Sequence, residues 1–197
     1  MKKGLDSDAL NQLFREARTY SGWSDRPVPD ALLHALYDLA KWGPTSMNCQ
    51  PMRLVFVNSV TSKEKLVSAL AGGNIDKVKN APVTAIIAHD MHFYDNLVSQ
   101  FPHAVNAADM FRGNDALIQS TAFRNGSLQG AYLLMAARAL GLDTGPMSGF
   151  DNAKVDELFF PEENIKSNFI MTLGYGDDAS LHPRGPRLDF GKVASIR

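Results

Sequence analysis

The sequence predicts an α+β fold, with a central, mostly antiparallel sheet and helices around it. Three observations carry this. Short apolar runs of strand character lie near residues 54, 83 and 169. The segments around them repeat apolar residues at helical spacing. No Gly-x-Gly-x-x-Gly opens a βαβ unit, and no Gly-x-x-x-x-Gly-Lys-Ser/Thr is present, so neither a Rossmann nucleotide site nor a P-loop has a signature.

Taken in order, residues 8–18 read as a short amphipathic helix with Leu10, Leu13, Phe14 and Ala17 on one side. Arg15 and Arg18, three apart, share a face. Val28-Pro29-Asp30 starts a second helix, with Asp30 near the positive end of its dipole and Leu32, Leu33, Leu36, Leu39 and Ala40 as the buried stripe. His34 points outward. Gly43-Pro44 stops that helix, and Pro51 holds its neighbour extended before the strand near 54. Thr45, Ser46, Asn48 and Gln50 fill the loop between the prolines with hydroxyl and amide groups. Such a loop suits a flat, heteroatom-rich ligand, or it is a solvated connection.

A helix is expected over 61–71, with Thr61 as N-cap, Glu64 at capping-box spacing and Gly72-Gly73 as its stop. Residues 83–88 are near-continuously apolar, as a central strand is. Residues 90–119 hold Tyr94, Phe101, Phe111 and Arg112 among turn residues, and make either a lid or the core of a small helical excursion. His89, His92 and His103 lack metal-ligand spacing. Residues 121–140 form the strongest helix. Leu128, Ala131, Tyr132, Met135 and Ala139 recur at helical spacing, and Leu133, Leu134, Ala136 and Ala137 make it apolar nearly all round, as in a buried or inter-subunit helix. Arg124, Asn125 and Gln129 lie on its first half, facing a ligand cavity. Gly141 ends the helix. Gly145-Pro146 and Ser148-Gly149 predict a tight bend that exposes backbone N–H groups, and Asp151 caps a helix to about Phe159. The last strand ends at Gly174-Tyr175-Gly176, and a basic, proline-braced tail carries Arg184 and Arg187.

Composition bounds the rest. The 197 residues are 45% hydrophobic, which suits one domain over 1–197. A net charge of -1 with no basic run argues against nucleic acid as a partner. No apolar run reaches the roughly 18–20 residues of a membrane span. The first residues lack the apolar core of a secretion signal. One cysteine, Cys49, excludes an internal disulfide and fits a reducing cytoplasm.

The run Asp25-Arg26-Pro27-Val28-Pro29-Asp30, a helix, then Gly-Pro-Thr-Ser-x-Asn-x-Gln-Pro resembles the N-terminal signature of the nitroreductase-like FMN-dependent oxidoreductases. The resemblance implies that fold as an intertwined homodimer, with Pro44, Thr45, Ser46, Asn48 and Gln50 packed on the flavin of the other subunit. It implies further cofactor contacts: Arg18 and Thr19 at the phosphate and ribityl chain, Asn74 at the ring, Arg184 and then Arg187 at the phosphate. It also implies that Pro146, Met147, Ser148 and Gly149 line the cofactor, with Ser148 and Gly149 presenting backbone N–H groups near flavin N5. Ala17 stands where the family has an arginine, so Arg15 or a tail arginine compensates, or phosphate binding is weaker. Lys41 to Cys49, Thr121 to Asn125 and Gly145 to Asp151 are similar to the malonic semialdehyde reductase branch, associated with pyrimidine breakdown. That implies an FMN enzyme using NADH or NADPH as co-substrate, with Arg112 or Arg124 meeting the substrate carboxylate. It implies no metal and no catalytic side chain. The alternatives are a broad NAD(P)H nitro or quinone reductase, or an FMN-binding dimer without turnover.

Overall fold

The computed structural model describes residues 3–161 and 164–197. Four strands form one antiparallel sheet: β1 (Met52–Val57), β2 (Val83–Asp90), β3 (Asp143–Met147) and β4 (Ile165–Gly174), in the spatial order β1-β2-β4-β3. Three strands were expected near 54, 83 and 169, and the fourth is the segment predicted as a bend. Residues 143–147 pair with β4 from Asp143↔Gly174 to Met147↔Ile170. Gly145 and Pro146 are tolerated there because β3 is an edge strand, whose outward N–H needs no ladder partner. Only Ser148 and Gly149 remain as a bend.

The sheet is covered on both faces, which explains why β2 is apolar throughout. Ala85, Ile87, Met171 and Leu173 pack against α2 (Asp30–Ala40) and the long helix spanning Asp115–Ala139. Ile86, Ala88 and Ile170 pack on the opposite face, with Leu66, Val78 and Val155 of the helices Val60–Val67, Ile75–Asn80 and Asn152–Phe159. The sheet's period of two therefore splits one continuous apolar run between two cores. In chain order the helices are α1 (Ser7–Leu10, continued by a π-helical turn to Arg15), α2, α3 (Val60–Val67), α4 (Ile75–Asn80), α5 (Leu97–Gln100), α6 (Asp115–Ala139), α7 (Asn152–Phe159) and α8 (Phe190–Val193).

Several local expectations change. The cap of α3 is Ser59, whose hydroxyl accepts from the Ser62 N–H at 3.2 Å, so the helix starts before Thr61 and ends at Val67, ahead of Gly72. Leu39 is 45% exposed and lies outside the buried stripe of α2. Arg18 falls beyond the helical turn that holds Arg15. The largest change is in α6. Its core face is Ile118, Thr121, Ala122, Asn125, Gly126, Gln129, Gly130, Leu133 and Ala136-Ala137, while Phe123, Leu128 and Tyr132 are 54%, 40% and 40% exposed. The stripe of Leu128, Ala131, Tyr132 and Ala139 faces out, away from the sheet. Small residues let α6 sit close to the sheet: a Cβ on Gly130 would meet Phe169 Cζ at 2.6 Å, and one on Gly126 would meet His89 Cβ at 3.0 Å.

Of the two readings of residues 90–119, the structure gives the small helical excursion. Phe93, Leu97, Ala107 and Phe111 form a third core with Ile118 and Ala122 of α6, and Cys49 joins it from the loop before β1. Phe93 and Phe111 meet edge to face at 4.9 Å between ring centres.

The outer edge of β3 is partly covered by the N-terminal segment, through a parallel bridge Thr19↔Thr144 and a Tyr20 N–H bond to Thr144 O at 3.1 Å. The outer edge of β1 has no partner strand among the described residues, and an open groove of about 590 Å³ runs between it and α2. No described helix is long and apolar enough to cross a membrane.

This packing has two measurable outcomes. A Cβ on Gly145 would lie 2.5 Å from the Tyr20 carbonyl and 2.4 Å from Thr172 Oγ1. Gly145→Ala should therefore loosen the 18–20 segment and destabilise the fold by about 1–3 kcal/mol in chemical denaturation. Burial pushes the Cys49 thiol up to about 11, so it is protonated at pH 8. A thiol reagent at that pH should label the native protein far more slowly than the denatured one.

Candidate functional site

The residues singled out from the sequence fall into two groups, one at each edge of the sheet. The first is the loop between Gly43 and Met52. Met47, Asn48 and Gln50 have φ of 50°, 51° and 40°, three side-chain-bearing residues in the left-handed region within four positions. Such conformations cost on the order of 1 kcal/mol each and persist where the surroundings over-determine them. Here they do. The Gln50 N–H donates to Thr45 Oγ1 at 3.1 Å, and the Cys49 N–H donates to Ser46 O at 3.0 Å. The Ser46 N–H donates to Asn125 Oδ1 at 2.9 Å, and the Met52 N–H to Gln129 Oε1 at 2.9 Å. Asn48 Nδ2 donates to Gln100 O at 3.0 Å, and Gln50 Nε2 to Gln100 Oε1 at 2.9 Å. Pro44 is exposed, and Gly43 packs against the Tyr132 ring. Asn125 and Gln129 thus hold the loop's backbone, and Gln129 also lines a cavity of about 270 Å³ with Gln50, Arg53 and Gln100. The sequence carried a signal for this role: two carboxamides four apart on an otherwise apolar helix share one face.

The second group lines β3 and the turn at its C-terminal end. Thr19 is bridged to Thr144. The Arg18 guanidinium donates to the His182 carbonyl, and Arg184 Nη2 donates to Ala17 O at 2.8 Å, so the N-terminal segment and the tail are tied together. Four residues along, about 13 Å for an extended strand, β3 ends at the exposed Ser148 and the half-buried Gly149. Asn74 Nδ2 donates to Gly149 O at 3.0 Å, and Lys77 Nζ donates to Asn74 Oδ1 at 3.3 Å. The Gly149 carbonyl also accepts from the Ala71 N–H at 3.0 Å. Asn74 therefore fixes the Ser148-Gly149 turn. Lys77, a residue the sequence reading passed over, brings a cation to it; its spacing of three from Asn74 on a short helix is the available signal.

At the other end lies Arg138, also passed over. Its Nη1 donates to Leu13 O at 2.9 Å, while its Nε is buried with no partner among the described residues. Burial pushes the Arg138 guanidinium down, and the nearby Arg184 adds to it, with Asp143 opposing. A half-buried cation beside a like charge is a costly arrangement that an anion would relieve.

Pro146 and Met147 pair with Met171 and Ile170 in the edge of the sheet. Arg187 is exposed and, among the described residues, bonds only its own neighbours, Gly185 O and Pro186 O, each at 3.0 Å. Arg112 is paired with Asp109, so its charge is already met. Arg124 is exposed on α6 and makes no hydrogen bond among the described residues. No group of three or more His, Cys, Asp or Glu able to hold a metal occurs among the described residues.

The two groups do not form one pocket within a chain. β1 and β3 are opposite edges of the sheet, three inter-strand spacings or roughly 14 Å apart.

Comparison with known proteins bears on the fold and the family. The family model described as "Nitroreductase family" matches residues 14–175. A protein of Burkholderia lata, named as a candidate NADH dehydrogenase/NAD(P)H nitroreductase, is 59% identical over 192 residues, 98% of each chain. A candidate nitroreductase of Bacillus subtilis superposes with a TM-score of 0.87 at 22% identity, over 98% of this chain and 100% of that one. A candidate nitroreductase of Exiguobacterium sibiricum, solved in complex with FMN, superposes with a TM-score of 0.85 at 20% identity, over the whole of both chains. With the family match running through the loop at 43–52, all four strands and α6, and with a full-length relative at that identity, this chain belongs to the nitroreductase family.

Proposed function

We propose that this chain is an FMN-dependent NAD(P)H oxidoreductase that acts by a ping-pong sequence and that its acceptor is malonic semialdehyde, reduced to 3-hydroxypropionate. The observation that carries the flavin reading is the layout along β3. A cationic end, with Arg18, Arg184 and the under-partnered Arg138, lies about one phosphate-to-ring length from an exposed turn braced by Asn74 and Lys77. An FMN has the same polarity: a dianionic phosphate at one end and a hydrogen-bonding ring at the other. Arg184 and Arg18 would hold the phosphate, with the guanidinium fork suited to two oxygens at once. In this arrangement Arg138 and Arg184 answer for the arginine that Ala17 replaces. Thr19 would meet the ribityl chain, and Arg187 would be a second contact from the tail. The Ser148 and Gly149 N–H groups would face the ring, with Pro146 and Met147 beside them, while the Gly149 carbonyl is held by Asn74 and Ala71. Lys77 would favour the negative charge that a reduced ring carries.

When bound, FMN would carry the electron pair from the nicotinamide to the acceptor. The protein's part is position and electrostatics, and no side chain is assigned as acid or base. Arg124, exposed and free of an ion pair among the described residues, is the better candidate for the acceptor's carboxylate; Arg112 is engaged by Asp109.

The site is proposed to be completed by a second copy of the chain, which brings Pro44, Thr45, Ser46, Asn48 and Gln50 to the ring. Three features support a homodimer: the separation of the two groups, the apolar outward face of α6, and a tail with Leu188, Phe190, Val193 and Ile196 all more than 60% exposed. The chain is proposed to act as one domain over 1–197, with 90–119 beside the site, and to work in the cytoplasm, where Cys49 stays reduced.

The malonic semialdehyde assignment rests on the runs from Lys41 to Cys49, from Thr121 to Asn125 and from Gly145 to Asp151. A broad nitro or quinone reductase is the second reading, favoured by the names that the relatives carry. Absorption spectra separate them. Flavin bands should bleach with anaerobic NADH or NADPH and return on adding malonic semialdehyde. Return with a quinone or nitro compound alone selects the second reading. Bands that NADH and NADPH both fail to bleach select a flavin-binding dimer without turnover. A protein that takes up no FMN overturns the flavin reading. Arg184→Ala should raise the Kd for FMN by roughly tenfold or more, as loss of a charge-assisted bond does, and titration of FMN fluorescence measures it.

A further inference from the structure

We infer that Gln129, Asn125 and Gln100 are positioning residues for the cofactor: three carboxamides that hold the 43–52 loop in its ligand-ready shape before any flavin arrives. The inference rests on the proposed role of that loop.

The loop hangs from one rigid helix at both ends. Asn125 and Gln129 are one turn apart on the core face of α6, 5% and 4% exposed. Each uses its carbonyl oxygen on a backbone N–H of the loop: Asn125 on Ser46, where the left-handed run begins, and Gln129 on Met52, where β1 begins. The remaining donor of Asn125 is tied to its own helix, through Nδ2 to Thr121 O at 2.8 Å, which fixes which end of the amide faces the loop. The span between the two anchors contains Met47, Asn48 and Gln50, all at positive φ. A free loop would relax from those angles. Gln100, from the end of α5, meets the middle through its carbonyl and its side-chain oxygen, and so ties the 90–113 excursion to the same loop.

A carboxamide is the group that fits this task. It accepts from a buried N–H without bringing a charge into the core, and an aliphatic side chain of similar volume would leave that N–H unpaired. Gln129→Leu keeps the packing and removes the acceptor, while Gln129→Glu, held protonated by its burial, keeps an uncharged acceptor. Gln100 is exposed, so Gln100→Ala removes its side-chain bond to Gln50, while the backbone carbonyl that Asn48 uses stays, with little risk to folding.

The test is the Kd for FMN by fluorescence titration, together with hydrogen exchange of the 46–52 amides in the cofactor-free protein. Far-UV circular dichroism confirms that each variant is folded. Q129L should bind FMN at least tenfold more weakly and exchange the Met52 amide faster, Q129E should stay within about threefold of wild type, and Q100A should weaken binding about threefold. A purely structural role would lower Tm in Q129L and leave the Kd of the folded protein unchanged, and that result overturns the inference. Equal weakening in Q129L and Q129E overturns it too. An unchanged Kd in Q100A removes the Gln100 side chain from the brace and, should Q129L fail to fold, overturns the inference outright. Wild-type protein that binds no FMN overturns the flavin reading and this inference together.

Discussion

The close approach of α6 to the sheet is the constraint on which the rest of this molecule depends. Gly126 and Gly130 leave no room for a side chain between helix and sheet. That distance puts the carboxamides of Asn125 and Gln129 within reach of the backbone before β1. It also turns the bulky side chains Phe123, Leu128 and Tyr132 to the outside. A helix with large residues facing the sheet would stand farther off, and short polar side chains could no longer span the gap.

The same economy of space governs the other edge. Gly145 lets the N-terminal segment lie against β3, which brings Arg18 beside the tail and allows Arg184 to reach back to the Ala17 carbonyl. Residues more than 160 positions apart in the chain thereby gather positive charge on one side of a short strand. The acid among them is Asp143, and its carboxylate accepts from the Gly176 N–H at 2.8 Å.

Much of this was legible in the sequence, for physical reasons. Strands and helices buried on a defined face write their period into the chain, so β1, β2, β4, α2 and α7 stood near their expected places. β3 was missed because a glycine and a proline side by side read as a turn, and an edge strand is where both are allowed. Which face of α6 meets the sheet was not legible, because its apolar residues run nearly all round it. Its core side is in fact small and polar, and its bulky side is outward. Arg138 and Lys77 were invisible because their significance is a matter of neighbours. Nothing local distinguishes a half-buried arginine near another arginine from one in water.

The unpartnered edge of β1 has a further consequence. A strand that carries Leu54, Val55 and Phe56 beside an open groove is a template for any other extended chain. Arg53, bonded to Asp90, is the one charge on it. A freshly synthesised chain exposes this edge until something covers it. Aggregation through this edge is therefore a hazard that the fold itself carries.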